Sequence, residues 1–374
     1  MPRADRRPAP RAMALALALV PALALGSAGA APARECLRGA NAAGGEFGPL
    51  PGRHGQTHLY PSEATLAYLA GKGMNVVRLP FRWERLQPTP FGRLDDTELT
   101  LLRASVDTAA ALGLTVILDP HNYARYGEAM IGSQAVPVEA FADFWRRLAP
   151  LYAGRDDIVY LLMNEPQSIT ARAWLPAVNA AIAAIRAAGA DNLILVPGTI
   201  WTGASHWFED QDGGSNAEVL MGVEDPLDHY AFDVHQYMDR DFSGTNADCP
   251  RVADALAALD RVTGWLARTG NRAFLGEFGG TSSPDCLAGI AAMAAFVNAR
   301  PDTWFGWAYW AAGDWWGDYP LSIQPEADGT ERPQMAALEP LVARLTAAER
   351  ACPALEATAG WQLRGPKEGD NARP

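Results

Sequence analysis

The chain has 374 residues, 49% of them hydrophobic, with 12 tryptophans and a formal charge of −12. That length suits one large domain with a substantial buried core. The acidic balance argues against nucleic acid or an anionic membrane surface as a partner and is compatible with a neutral polymer.

Residues 1–33 open with Arg3, Arg6, Arg7 and Arg11, continue through an apolar run from Met13 to Leu25, and end in the small residues Ala28-Gly29-Ala30 and Ala31-Pro32-Ala33. This is the three-part pattern of a cleaved export signal. The apolar run is shorter than the ~20 residues a membrane span requires, so a signal peptide is expected rather than an anchor. The mature protein is therefore expected to be secreted or periplasmic, with no membrane attachment after cleavage.

From Leu37 onward short apolar runs alternate with segments of helical periodicity. Eight strands are expected, at 39–43, 75–81, 114–122, 158–165, 192–198, 230–237, 273–278 and 304–310. Helices are expected between them at 63–70, 96–112, 138–152, 171–188, 252–267 and 287–299. Eight βα units favour an α/β fold of the closed (β/α)8 TIM-barrel kind over an open sheet, as a single domain spanning 34–357. The remainder, 358–374, is rich in Gly, Pro and charge and is expected to be a disordered tail. A monomer is expected.

Four cysteines, Cys36, Cys249, Cys286 and Cys352, are an even number in a chain that carries an export signal, so disulfides are permitted. Three pairings are possible. The positions at opposite ends of the domain suggest 36–352, with 249–286 as the second pair. No Cys-x-x-Cys spacing occurs, and neither a metal nor another cofactor is expected.

Polar residues gather where the expected strands end: Arg78, Asp119 and His121, Asn164 and Glu165, His235 and Tyr237, Glu277, and Trp310. Active sites of barrels are built at this end. Hydrolysis of a glycosidic bond needs one carboxylic acid to protonate the leaving oxygen and a second carboxylate to attack or to activate water. Glu165 and Glu277 are placed for these tasks. A carboxyl drawn out of water rises in pKa unless a cation opposes the shift. Arg78 beside Glu277 would keep that group ionised, while Glu165, without such a partner, would hold its proton.

Asn164-Glu165-Pro166 and Gly276-Glu277-Phe278-Gly279 resemble glycoside hydrolase family 5. The likeness extends to the run from Gly39 to Gly48, to Val77-Arg78-Leu79-Pro80-Phe81, and to Asp119-Pro120-His121-Asn122-Tyr123. It continues in Asp233-Val234-His235-Gln236-Tyr237 and in the segment from Trp310 to Tyr319, and so covers about residues 37 to 350. The resemblance implies a retaining endo-β-1,4-glucanase (a cellulase) with Glu165 as acid/base and Glu277 as nucleophile. It further implies that Asn164 donates to the sugar 2-hydroxyl, Arg78 and Tyr237 steady the nucleophile, His121 and His235 line the cleft, and Trp310 stacks on the sugar. Mannan, xyloglucan and other β-glycans are rival substrates, and a non-catalytic polysaccharide-binding barrel is the rival of another class.

Trp145, Trp174 and Trp265 sit at helical spacing and read as core. Trp201, Trp207, Trp310, Trp315 and Trp316 fall in expected strand-to-helix loops, where aromatic faces suit pyranose rings. Two features depart from the family pattern: Asp314 stands where proline is often found, and residues 210–215 with Glu224-Asp225 form an acidic loop.

Overall fold

The structure, a computed structural model, describes residues 34–356. The expected export signal 1–33 and tail 358–374 lie outside the described residues.

Eight strands are present: β1 (Leu37–Ala42), β2 (Val76–Phe81), β3 (Thr115–Pro120), β4 (Ile158–Leu161), β5 (Ile194–Pro197), β6 (Tyr230–His235), β7 (Ala273–Glu277) and β8 (Trp304–Ala312). Each is parallel to its neighbours, and β1 pairs with both β2 and β8, which closes the barrel. A helix follows every strand: α1 (Glu63–Gly71), α2 (Asp96–Ala111), α3 (Val138–Leu148), α4 (Ala171–Ala187), α5 (Asn216–Val219), α6 (Val252–Thr269), α7 (Pro284–Asn298) and α8 (Pro333–Leu338). The architecture is the expected (β/α)8 TIM barrel.

The strands read as continuous apolar runs because both of their faces are buried. Alternate residues of one strand serve different layers: Val77 and Leu79 pack outward among the helices, while Val76 joins Ile117, Leu161, Leu195, Phe274 and Phe305 in a second cluster. Each fully buried Val, Leu or Phe stabilises the fold by about 1.5–3 kcal/mol. Helix ends follow local chemistry. The side chains of Ser62, Asp95 and Thr170 cap α1, α2 and α4, and Gly270 ends α6 in the left-handed conformation. Asp314 has a structural task here, since its carboxylate accepts from Ser62 N at 2.9 Å and Thr65 Oγ1 at 3.0 Å and so ties the loop after β8 to the start of α1.

The elements that periodicity did not announce include α5, α8, single turns at Trp83–Leu86, Ala347–Arg350 and Pro353–Glu356, and a hairpin pairing Arg125–Tyr126 with Ala129–Met130. All are too short to carry a repeat of 3.6 residues or of two. Both suggested disulfides, Cys36–Cys352 and Cys249–Cys286, are formed.

Cys36–Cys352 closes a loop of 316 residues in sequence separation, against 37 for the other pair, so it restricts the unfolded chain more. Replacing both Cys36 and Cys352 by Ser is expected to lower the unfolding free energy by about 3–5 kcal/mol. Replacing Cys249 and Cys286 is expected to lower it less. Urea unfolding of the two double variants measures the difference.

Candidate active site

Arg78, from the middle of β2, lies in the barrel interior with no exposure to solvent. Its Nη1 donates to Glu277 Oε1 at 2.7 Å and to Asn41 Oδ1 at 2.6 Å; its Nη2 donates to Asn164 Oδ1 at 2.5 Å and lies 3.2 Å from Asp119 Oδ2. One guanidinium thus joins the ends of β1, β2, β3, β7 and the turn after β4. Burial disfavours its charge, but Asp119, Glu277, Asp233 and Glu165 outweigh that and raise its pKa. The second oxygen of Glu277 accepts from Tyr237 Oη at 2.9 Å. Both Glu277 oxygens thus accept, one from the Arg78 guanidinium and one from the Tyr237 hydroxyl. Arg78 and Tyr237 are brought together on Glu277 as the sequence suggested.

Glu165 differs from its expectation in two ways. The strand β4 stops at Leu161, so Glu165 stands four residues beyond it, with φ of 41°. It also has a basic partner: His235 Nδ1 lies 2.7 Å from Glu165 Oε1 and 3.7 Å from Glu277 Oε2. The expectation of no such partner failed because the contact joins residues 70 apart in sequence and arises only when the barrel closes. His235 Nε2 in turn lies 3.0 Å from Asp233 Oδ2. Burial opposes charge on His235, yet Glu277 and Asp233 overcome it and push its pKa up to about 10. Even so, burial holds the Glu165 carboxyl above the ordinary carboxylate range, and Glu277 raises it further, against the pull of His235. Glycine at 276 permits this packing, because a Cβ there would lie 2.1 Å from Asp233 Oδ1.

A second histidine–aspartate pair stands opposite. His121 Nδ1 is 2.7 Å from Asp119 Oδ2, and its Nε2 is 3.0 Å from Asn164 Nδ2. With the proton on Nδ1, Nε2 accepts one of the two Asn164 N–H bonds and leaves the other for a ligand. Trp310 lies nearly parallel to the His121 ring at 5.5 Å, and its Nε1 donates to Tyr319 Oη at 3.1 Å. Trp316 stacks on Tyr319 at 4.1 Å and meets Phe47 edge-on at 4.8 Å, which extends this aromatic wall.

Of the loop tryptophans, Trp201 and Trp315 are exposed, at 52% and 42%, while Trp207 is completely buried against Phe232 and Trp265. Trp207 is core, because its loop folds back under the barrel rim. Trp145, Trp174 and Trp265 are core as expected. Asp119 stood out in the sequence as a polar residue at a strand end, whereas Asp233, Asn41 and Glu46 fell only within the motif segments. Asp119, Asp233 and Asn41 prove to be the partners of His121, His235 and Arg78, and their positions at strand ends were the available signal. Burial pushes the Glu46 carboxyl up to about 7 against the opposing effect of His121.

One oxygen each of Glu165 and Glu277 and a ring nitrogen of His235 lie within 4.8 Å of one another. Both ring nitrogens of His235 already face carboxylates, Nδ1 toward Glu165 at 2.7 Å and Nε2 toward Asp233 at 3.0 Å. The spacing suits a pair of carboxyls acting on opposite sides of one bond. A cavity of about 420 Å³ opens beside Glu165, lined by Tyr123, Trp201, His235 and Tyr237 among others. A larger one, about 580 Å³, lies at the N-terminal ends of the strands around Leu37, Ile158 and Leu193 and contains none of these groups. In this architecture chemistry belongs to the other end.

The family described as Cellulase (glycosyl hydrolase family 5) matches residues 40–313. A probable endo-β-1,4-glucanase B from Neosartorya fischeri is 34% identical over 327 residues, which cover 85% of this chain and 96% of the relative. Among solved structures, an endo-β-1,4-glucanase from Xanthomonas axonopodis pv. citri is 43% identical with a TM-score of 0.81, covering 83% of this chain and 99% of the other. XacCel5A in complex with cellopentaose is 42% identical with a TM-score of 0.80, over 82% of this chain and 99% of its own.

Removing Arg78 would leave Asp119 and Glu277 buried without their cation. Arg78→Met is expected to destabilise the fold by about 3–5 kcal/mol, measured by urea unfolding. His235 gives a pH signature. Its folded-state pKa of about 10 exceeds the ordinary value of 6.5, so its stabilising contribution is complete below about pH 6.5 and is lost as pH rises through about 10. Thermal melts of His235→Gln should therefore show a smaller loss of stability from neutral pH to about pH 10 than the parent. An equal loss would remove His235 as its source.

Proposed function

The chain belongs to glycosyl hydrolase family 5, and from that membership we propose that it is an exported endo-β-1,4-glucanase that hydrolyses cellulose-type β-glucans with retention of anomeric configuration. Glu277 attacks the anomeric carbon as Glu165 protonates the glycosidic oxygen. The C1–O bond breaks, the leaving sugar departs, and the glycosyl unit remains as an ester on Glu277. Glu165, now a carboxylate, then takes a proton from water as that water attacks C1 and frees Glu277.

The observation that carries this reading is the approach of Glu165 and Glu277 oxygens to within 4.8 Å. Retaining enzymes hold their two carboxyl groups about 5–5.5 Å apart, whereas inverting enzymes need a wider gap for water. The electrostatics divide the two roles. Arg78 and Tyr237 both donate to Glu277, which suits a nucleophile, while burial and the neighbouring Glu277 favour a proton on Glu165. In the second half-reaction His235 is the group that supports Glu165 as an anion. Asn164, with one N–H unclaimed by His121, is placed to donate to the sugar, where a bond to the 2-hydroxyl strengthens as positive charge develops at C1. Trp310 supplies the face on which that sugar stacks.

Glucan as substrate is supported by the relatives' activity and by the cellopentaose held by XacCel5A. Export through residues 1–33 is supported by the two disulfides, which persist in an oxidising compartment.

Glu165→Gln is expected to lower kcat on carboxymethylcellulose by about 10²–10⁴, and Glu277→Gln to abolish turnover. Proton NMR of early cellopentaose digests should show the β-anomer first. An initial α-anomer would replace the double displacement with a single one.

A further inference from the structure

Arg85, in the single turn that follows β2, is almost wholly buried, and its guanidinium bonds to backbone carbonyls of one connection. Nε donates to Pro51 O at 3.1 Å and Nη1 to Gly45 O at 2.6 Å. Nη2 donates to Gly48 O and Pro49 O, each at 3.2 Å, and to Phe47 O. All five carbonyls belong to the connection after β1. Residues 48–53 of that connection are exposed, so apolar burial does little to hold them, and a segment of that kind is ordinarily among the first to open. A cation withdrawn from water is unfavourable unless its donors are matched. Arg85 meets that demand only while the connection is wrapped around it, so the need of the cation fixes the course of the chain.

We infer that Arg85 is a positioning residue for the hydrolytic reaction: it touches no sugar, and it acts through Phe47 to hold the aromatic wall on which the sugar stacks. The assignment rests on the glucanase reading above. Direct contacts link the two ends. Arg85 holds the carbonyl of Phe47 and those of Gly45 and Gly48 on either side of it. The Phe47 ring meets Trp316 edge-on at 4.8 Å, Trp316 stacks on Tyr319 at 4.1 Å, and Tyr319 Oη accepts from Trp310 Nε1 at 3.1 Å. Trp316 also meets Trp310 edge-on at 6.0 Å, so both routes end on the ring assigned to the sugar. Trp316 depends on outside support, because Asp314, Trp315, Gly317 and Asp318 around it are exposed. Strand order makes the reach short. β2, β1 and β8 are neighbours, and a side chain rooted after β2 holds the middle connection against the one after β8.

The test separates binding from chemistry. A stacking contact is made in the ground state and the transition state alike, so a wall that yields raises KM and spares kcat. Arg85→Lys keeps the charge but loses the planar fork, and Phe47→Leu leaves the Arg85 contacts in place. Each is expected to raise KM for cellopentaose about 5-fold, the effect of one aromatic contact, with kcat changed less than about 2-fold. The double variant should be no worse than the worse single one, because both changes act through the same contact. Thermal melts read the structural contribution separately. A lower Tm with unchanged KM in Arg85→Lys would make Arg85 a stability residue only. Unchanged KM in Phe47→Leu, which leaves the buried cation intact, would break the link to the wall, and effects that multiply in the double variant would place the action of Arg85 elsewhere. Each of these three outcomes overturns the inference. If the parent protein does not cut cellopentaose, the glucanase reading itself fails and this assignment goes with it.

Discussion

The guanidinium of Arg78 is the interaction on which the catalytic end of the barrel depends. Withdrawing a cation fully from water is unfavourable by several kcal/mol unless its donors are matched. Here four oxygens, from Asn41, Asp119, Asn164 and Glu277, surround its two terminal nitrogens. Because those oxygens belong to different strands and turns, the charge can be satisfied only when the sheet has closed in one register. A slip of one residue would turn Arg78 toward the helices, where Val77 and Leu79 now lie, and leave two carboxylates uncompensated. The same contacts that would punish that slip also aim Glu277.

Around this cation the charges divide into two halves with different tasks. Asp119 and His121 support Asn164; Asp233 and His235 support Glu165. In each pair the aspartate sits deeper, buried at the end of its strand, and the histidine stands between it and the group above. A histidine backed by one carboxylate can shift its hydrogen bond to a second without losing its charge. That property matters on the Glu165 side, where the proposed cycle removes and restores a proton. A fixed cation such as an arginine in place of His235 would bind a Glu165 anion too firmly for it to regain its proton, whereas a neutral donor would leave that anion unsupported in a buried site.

How far the sequence revealed this arrangement depended on the range of each interaction. The eight strands were legible because both of their faces are buried and the chain records that as apolar runs. Glu165 and Glu277 were legible because carboxyls ending such runs are chemically out of place. The Arg78–Glu277 contact could be suggested because each is a lone charged residue in an apolar run, and opposite charges drawn out of water need one another. The Glu165–His235 contact was not, since nothing local marks a pair 70 residues apart. Trp207 misled for a similar reason: a tryptophan in a loop reads as exposed, and only the return of that loop against Phe232 and Trp265 makes it core. Positive φ at Tyr123, Trp201 and Phe242, which line the cavity beside Glu165, left no trace either, for these are types that would not be chosen for it on propensity alone.

Those residues raise the question of what keeps the strained side of the site in shape, since long connections are ordinarily the least ordered part of a barrel. The connection after β6 answers it with two local devices. Asp239, almost wholly buried, accepts from the backbone N–H groups of Gly244, Thr245 and Asn246 at 3.0, 3.1 and 3.0 Å, which folds the segment carrying Phe242 into a compact turn. Seven residues after Phe242, Cys249 is joined covalently to Cys286 in the first turn of α7, and Cys249 N also donates to Asp285 at 2.9 Å. The connection is thus fastened inside and at its far end, so the wall opposite Glu165 is set before any sugar arrives and little ordering entropy remains to be lost on binding. Half of this bracing is a disulfide, which persists only under oxidising conditions. The shape of the cavity beside Glu165 is therefore coupled to the redox state of the surroundings, because the disulfide that fastens its wall persists only where thiols are kept oxidised.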